Sequence, residues 1–207
     1  MNLRAMSDLY RIVASLLLPL ALMSCDSAPS PQQEPPLKGA AIGGPFTLAD
    51  KDGKEVRWSD FDGKYRIVYF GYTFCPDACP MDVQAMMKGF SQFEEAHPER
   101  AANVQPIFIS IDPARDTPKV VGQFAAAFGP RLLGLTGTQQ QVDHAAKAFA
   151  AYYAKGEETA GGYLMDHSRA AFLMAPDGKP IAILPVDEAP AAKAADAVET
   201  ELEKWVT

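Results

Sequence analysis

A buried-strand pattern that runs directly into a pair of cysteines constrains this chain most. Residues Tyr65–Tyr72 are mostly β-branched and aromatic, and they predict a buried strand. The apolar spacing of Met81–Ala96 predicts a helix just beyond Cys75 and Cys79. The sequence therefore places two sulfurs at the N-terminal end of the first helix, beside the end of a buried strand.

The rest of the chain alternates between predicted strands and helices. Further strands are predicted at 104–111, 132–135, 170–174 and 181–184. Further helices are predicted at 117–129, 138–155 and 189–206. An Asp-Gly turn predicts a hairpin over residues 46–57. This order predicts an α/β fold of the thioredoxin-like type with helices on both faces of the sheet and an added N-terminal β-hairpin. We also expect a β-hairpin insertion near the metal site whose candidate residues are given below.

Composition narrows the class of protein. The chain has 207 residues, 48% hydrophobic and 22% charged, which suits one folded domain with tails and is too apolar for a disordered chain. The 19 basic residues against 26 acidic residues argue against nucleic acid as a partner, because phosphate binding needs a positive surface. Three cysteines are too few for a disulfide scaffold.

The first two dozen residues have the pattern of a secretory signal. Arg4 and Arg11 precede the apolar run Ile12–Met23, which is too short to span a bilayer as a helix. The run ends in Leu-Met-Ser-Cys and resembles a bacterial lipoprotein signal. The sequence therefore predicts a signal peptide over residues 1–24 and lipidation of Cys25.

A polar segment follows the predicted lipid attachment. Residues 25–42 are rich in Pro, Ser and Gln and predict a flexible tether, so the folded domain is expected over residues 43–207. Asp26 resembles the signal that retains lipoproteins in the inner membrane of two-membrane bacteria. We expect a lipid-anchored protein on the periplasmic side of the inner membrane.

The spacing of Cys75 and Cys79 leaves three chemistries open. Residues four apart on a helix lie about 5–6 Å apart at Cβ, so both sulfurs can reach one ion or bond to each other. A helix N-terminus stabilises thiolate, which is a soft ligand for metals such as Cu(I). The alternatives are metal binding, thiol redox chemistry and a structural disulfide. A disulfide here would close a loop of only five residues, for which the entropic stabilisation is smallest.

His167 is the candidate for a third metal ligand. It precedes a predicted strand that lies, in a thioredoxin-like sheet, next to the strand leading into the cysteines. Two thiolates and one imidazole suit Cu(I), and they accept Cu(II) with an added ligand. His97 at a helix end and His144 within a helix are interpreted as ordinary helix-end and surface residues. Most methionines are expected to pack in the core, and Met165, two residues from His167, is the one kept as a candidate soft ligand.

Three motifs in this order resemble the Sco/SenC copper-delivery family. They are Gly71–Pro80 (GYTFCPDACP), Phe108–Pro118 (FISIDPARDTP), and Asp166–Ser168 followed by Pro176–Gly178. The resemblance covers Gly43–Thr207. It implies a thioredoxin-like fold and copper ligands at Cys75, Cys79 and His167. It also implies a role near the site for Asp112, for which a turn or capping carboxylate is the equally weighted alternative.

The same resemblance implies a function in respiration. It implies a metallochaperone that delivers copper to the dinuclear copper centre of cytochrome c oxidase subunit II, with another periplasmic copper chaperone or a thiol reductase as further partners. The main alternative is a thiol–disulfide reductase using Cys75 and Cys79. The C-x-x-x-C spacing and the absence of proline from Asp166–Ala170 argue against it. A peroxide-reducing enzyme is a third class, but it does not require a cysteine pair.

Overall fold

The computed structural model describes residues 33–159, 162–188 and 190–207. Pro35–Thr207 forms one compact unit. The predicted signal peptide and Cys25 lie outside the described residues. Leu37 packs on the core and its N–H donates to the Ile181 carbonyl at 3.0 Å, so the packed chain begins before Gly43. No helix among the described residues has the length and apolar character of a membrane span.

Among the described residues, the elements are β1 (Thr47–Ala49), β2 (Glu55–Arg57), a 3-10 turn (Trp58–Phe61), β3 (Tyr65–Gly71), α1 (Ala78–Ala96), α2 (Pro98–Ala101), β4 (Val104–Ser110), α3 (Pro118–Ala126), β5 (Leu133–Leu135), α4 (Gln139–Ala148), β6 (Tyr153–Thr159), β7 (Gly162–His167), β8 (Ala171–Met174), β9 (Pro180–Leu184) and α5 (Ala191–Trp205). Strands and helices alternate from β3 to α4, and four strands then precede the last helix.

The central sheet has five strands in the order β5-β4-β3-β8-β9. Strands β3, β4 and β5 are parallel, whereas β8 is antiparallel to both β3 and β9. The hairpins β1–β2 and β6–β7 are separate two-stranded sheets. The α/β architecture and the N-terminal hairpin are therefore as predicted.

The register of β3 and β4 decides where the site forms. Tyr65 pairs with Val104 and Gly71 pairs with Ser110, so the two parallel strands end side by side. The loop that carries Cys75 and the loop that carries Asp112 consequently leave the same edge of the sheet. Strand β8 runs antiparallel to β3, with Ala171 opposite Tyr69, so the chain enters β8 at that edge as well.

Burial on both faces explains why the sequence of β3 is almost continuously apolar. Ile67, Val68, Tyr69 and Phe70 are all fully or almost fully buried, as expected for a strand that is covered on both faces. Helix α1 buries Val83, Met86, Phe90 and Phe93, which recur at helical spacing along one side. This helix also packs along α5, so the cysteine-bearing helix is fixed along its length.

The helix predicted over 138–155 is wrong beyond Ala148. Helix α4 ends there, and β6 begins at Tyr153. Ala150 has φ +52°, a left-handed conformation that a continuing α-helix cannot contain. Tyr152 and Tyr153 continue the apolar spacing of the helix, but they belong to the approach and first residue of the hairpin β6–β7, at whose end His167 lies.

Candidate metal centre

The Cys75 sulfur takes the place of a helix cap. Helix α1 begins at Ala78, and the side chain of its N-cap residue, Asp77, makes no capping hydrogen bond. The Cys79 backbone N–H, one of the free donors of the first turn, instead donates to the Cys75 Sγ at 3.3 Å. The local sequence therefore aims a helix N-terminus at the first sulfur.

His167 completes a compact group of three donor atoms. Its Nε2 lies 3.0 Å from the Cys79 Sγ, and its Nδ1 lies 3.0 Å from the Ser168 carbonyl oxygen. Because a carbonyl oxygen only accepts, this contact assigns the ring proton to Nδ1 and leaves the Nε2 lone pair facing the sulfurs. Ligand atoms of Cys75, Cys79 and His167 all lie within 4.8 Å of one another.

The two sulfurs differ in protonation. A hydrogen bond from the Cys79 thiol, together with backbone N–H groups, lowers the pKa of Cys75 to about 3 against an opposing effect of burial. The hydrogen bond to Cys75, together with full burial, raises the pKa of Cys79 above its ordinary value. The pair is thus one half-buried thiolate and one buried thiol.

Aromatic rings surround the imidazole. Tyr69 and Tyr72 each meet the His167 ring edge-on, with centroids 6.2 and 5.9 Å away. Both tyrosines are buried. The ring of His167 is therefore held between apolar faces, and its Nε2 edge is directed at the cysteines.

The donor set fits a soft, low-coordinate metal ion. Two sulfurs and one neutral imidazole match the preferences of Cu(I), and no further His, Cys, Asp or Glu among the described residues joins the group. A structural zinc site uses four ligands, so three are too few for that role. The half-buried Cys75 gives an approaching molecule access to the group.

Asp112 lies outside this three-residue group. Its buried carboxylate accepts hydrogen bonds from Arg115 Nε at 2.5 Å and from the Tyr163 hydroxyl at 2.7 Å. Arg115 also donates to the Tyr163 carbonyl oxygen, and its guanidinium stacks 3.7 Å from that ring's centroid. Asp112 therefore ties the loop after β4 to the hairpin that carries His167.

The other histidines are placed elsewhere. His97 contacts Glu203 and His144 contacts the Pro45 carbonyl oxygen, so neither joins the cysteines. Met165 is partly buried against the core.

Sequence reasoning overlooked one part of the site, a hydrogen-bonded network of Tyr69, Asp82 and Arg169. Its sequence signal was the position of Asp82, one helical turn after Cys79, and of Arg169, two residues after His167.

Comparison with known proteins identifies the family. The SCO1/SenC family model matches residues 34–203. This chain belongs to the SCO1/SenC family. The Rhodobacter capsulatus protein SenC is 43% identical to this family member over 137 residues, which are 66% of this chain and 60% of SenC. The matched part spans 40–60% of the length of the first curated SCO1/SenC relatives.

Solved SCO1/SenC structures agree with the fold. Arabidopsis thaliana ScoI with copper bound superposes with a TM-score of 0.68 at 35% identity, covering 79% of this chain and 99% of that one. BsSco, described as a member of the Sco family of cytochrome c oxidase assembly proteins with a disulfide switch, superposes with a TM-score of 0.55 at 27% identity. That match covers 75% of this chain and 92% of BsSco. The thioredoxin-like fold expected from the sequence is thereby confirmed.

Proposed function

We propose that this SCO1/SenC protein binds one copper ion through Cys75, Cys79 and His167 and delivers it during assembly of cytochrome c oxidase. The observation that carries the proposal is the convergence of the three donor atoms within 4.8 Å, although His167 is 88 residues from Cys79 in the chain. Cu(I) is the form that this donor set suits best, and Cu(II) requires an added ligand.

The acceptor we propose is the dinuclear copper centre of subunit II. A low-coordinate copper thiolate near the surface can be attacked by ligands of an acceptor before its own ligands leave. Transfer then proceeds through shared-ligand intermediates. The half-buried Cys75 is the ligand most open to such an approach, whereas Cys79 is fully buried. Cys75 is therefore proposed to be the first protein ligand to be exchanged.

Asp112 and the N-terminal segment complete the proposal. We assign Asp112 an indirect role, because its carboxylate holds the hairpin of His167 through Tyr163 and Arg115 and it is not part of the three-residue group of donors. Lipidation of Cys25 would hold the domain at the periplasmic face of the inner membrane, within reach of a membrane-bound oxidase.

A transfer assay tests the function. Anaerobic, Cu(I)-loaded protein is mixed with the copper-free soluble domain of subunit II, and copper on each protein is measured after separation. We expect copper to move to subunit II from the wild-type protein. His167→Ala should bind copper more weakly while its cysteines remain able to reduce a disulfide. Delivery would be refuted if the acceptor remained copper-free while the donor kept its metal at equilibrium.

Thiol–disulfide exchange by the same cysteines is a second candidate function. The observation that favours it is the pairing of a low-pKa thiolate at Cys75 with the neighbouring Cys79 thiol. If His167→Ala left copper affinity unchanged, and cysteine substitutions abolished only disulfide reduction of subunit II, this reductase function would replace delivery.

A further inference from the structure

An ion pair between the buried Asp82 and the partly exposed Arg169 joins the two parts of the chain that supply the predicted ligands. Asp82 is 1% exposed and accepts three hydrogen bonds. Arg169 donates from Nε at 2.8 Å and from Nη2 at 2.5 Å, one bond to each carboxylate oxygen. The Tyr69 hydroxyl donates at 2.8 Å. The carboxylate is therefore fully engaged, and the arginine is held in a two-point geometry that fixes its orientation.

The position of this pair relative to the ligands is specific. Asp82 lies three residues after Cys79 on α1, so the two side chains share one side of the helix. Arg169 lies two residues after His167, in the short connection between β7 and β8. The Asp82–Arg169 contact therefore joins the same two parts of the chain as the Cys79–His167 contact. In the latter, the Cys79 Sγ lies 3.0 Å from the His167 Nε2.

Tyr69 links the pair to the imidazole itself. Its hydroxyl binds Asp82, and its ring meets the His167 ring edge-on. Strand β3, helix α1 and the β7–β8 connection are therefore joined at one carboxylate. A shift of Arg169 away from Asp82 would release the connection that carries His167.

We propose that Asp82 and Arg169 are positioning residues that hold His167 at metal-binding distance from Cys79. This inference rests on the proposed copper function and deepens it. Neither residue touches the metal. Both act through the imidazole, and without them the cysteines still bind copper but the histidine ligand is held less firmly.

A double-mutant cycle on copper affinity tests the proposal. Arg169→Met keeps the length of the side chain and removes the ion pair. We expect it to weaken Cu(I) binding by about tenfold to a hundredfold, the usual effect of losing a group that orients a metal ligand. In a His167→Ala background the same change should have an effect of no more than about twofold, because the residue through which it acts is gone.

The matched control is Arg131→Met. Arg131 forms an ion pair with Glu94, which lies near the C-terminal end of α1. The side chain of Arg131 is 34% exposed, against 41% for Arg169. Its loss should leave copper affinity unchanged. Arg169→Lys keeps the charge without the two-point geometry and should restore affinity only in part.

A copper-free measurement separates this inference from the proposed function. In wild-type protein, nitrogen-15 NMR of the His167 ring should show a single tautomer, protonated on Nδ1, and Arg169→Met should shift it toward the average of both tautomers. If His167→Ala left copper affinity unchanged, the proposed ligand set would fail, and the NMR result would still decide the positioning role. The inference would be overturned if Arg169→Met lowered copper affinity equally in both backgrounds, or if Arg131→Met lowered it as much. It would also be overturned if Arg169→Met left the nitrogen-15 signal of the His167 ring unchanged.

Discussion

Copper binding to the reduced protein should release one proton per ion. The reason is the asymmetry of the cysteines: Cys75, with its pKa lowered to about 3, is already a thiolate at neutral pH, and Cys79, with its pKa raised, is still a thiol. Because both must be thiolates to bind the metal, Cys79 loses its proton on loading. Two ordinary thiols would instead release about two protons.

The magnitude follows from linkage. Release of one proton makes the association constant rise about tenfold per pH unit, or about 1.4 kcal/mol of binding free energy. The assay is anaerobic competition with a Cu(I) chelator of known affinity between pH 7.0 and 8.5. Calorimetry in buffers with different ionisation enthalpies counts the protons independently.

Cys79→Ser is the control for this prediction. The serine hydroxyl keeps a hydrogen-bond donor beside Cys75 but has no proton to give up in this range. Copper binding should weaken, and proton release should fall close to zero. A hundredfold rise in wild-type affinity per pH unit would show that both cysteines are protonated and would refute the asymmetry.

Three further results are expected. Iodoacetamide should alkylate Cys75 in the native protein at a nearly constant rate from pH 5 to 8 and leave Cys79 unmodified, as peptide mass mapping can show; a rate that rose about tenfold per pH unit would contradict the low pKa of Cys75. Asp116→Asn should lower the free energy of unfolding, measured in urea, by about 1–3 kcal/mol. The buried carboxylate accepts hydrogen bonds from the Thr73 backbone N–H and hydroxyl, and the NH2 group of asparagine would face one of these donors. A loss below about 0.5 kcal/mol would show that these hydrogen bonds do not stabilise the loop. Tyr163→Phe should lower the free energy of unfolding by about 1 kcal/mol and speed amide exchange in β6–β7, because it removes the hydroxyl donor to Asp112. Unchanged exchange would show that this hydrogen bond does not hold the hairpin.

The proximity of Cys75, Cys79 and His167 was predictable because it depends on strand order. The buried strand before Cys75 and the short strand after His167 are visible as apolar runs, and pairing β3 with β8 brings their ends together. Only one general rule was needed, that the elements of a thioredoxin-like plan follow one another in a fixed order. The three-residue group of donors followed from it.

A hairpin insertion near the metal site was expected, but its first strand, β6, was predicted as the end of a helix. Tyr152 and Tyr153 continue the helical spacing of α4. Alanine favours helix, so the residue type of Ala150 does not predict its left-handed backbone conformation. The Asp82–Arg169 pair was also hidden, because its partners are 87 residues apart and each alone resembles an ordinary surface charge. Tertiary contacts, rather than local preference, decide both features.

X-ray absorption at the copper edge of the anaerobically loaded protein is the direct test of copper binding by Cys75, Cys79 and His167. We expect two sulfur ligands and one imidazole nitrogen per copper in the wild-type protein, and two sulfurs without the imidazole in His167→Ala. A wild-type spectrum with fewer than two sulfurs, or one that His167→Ala leaves unchanged, would contradict it.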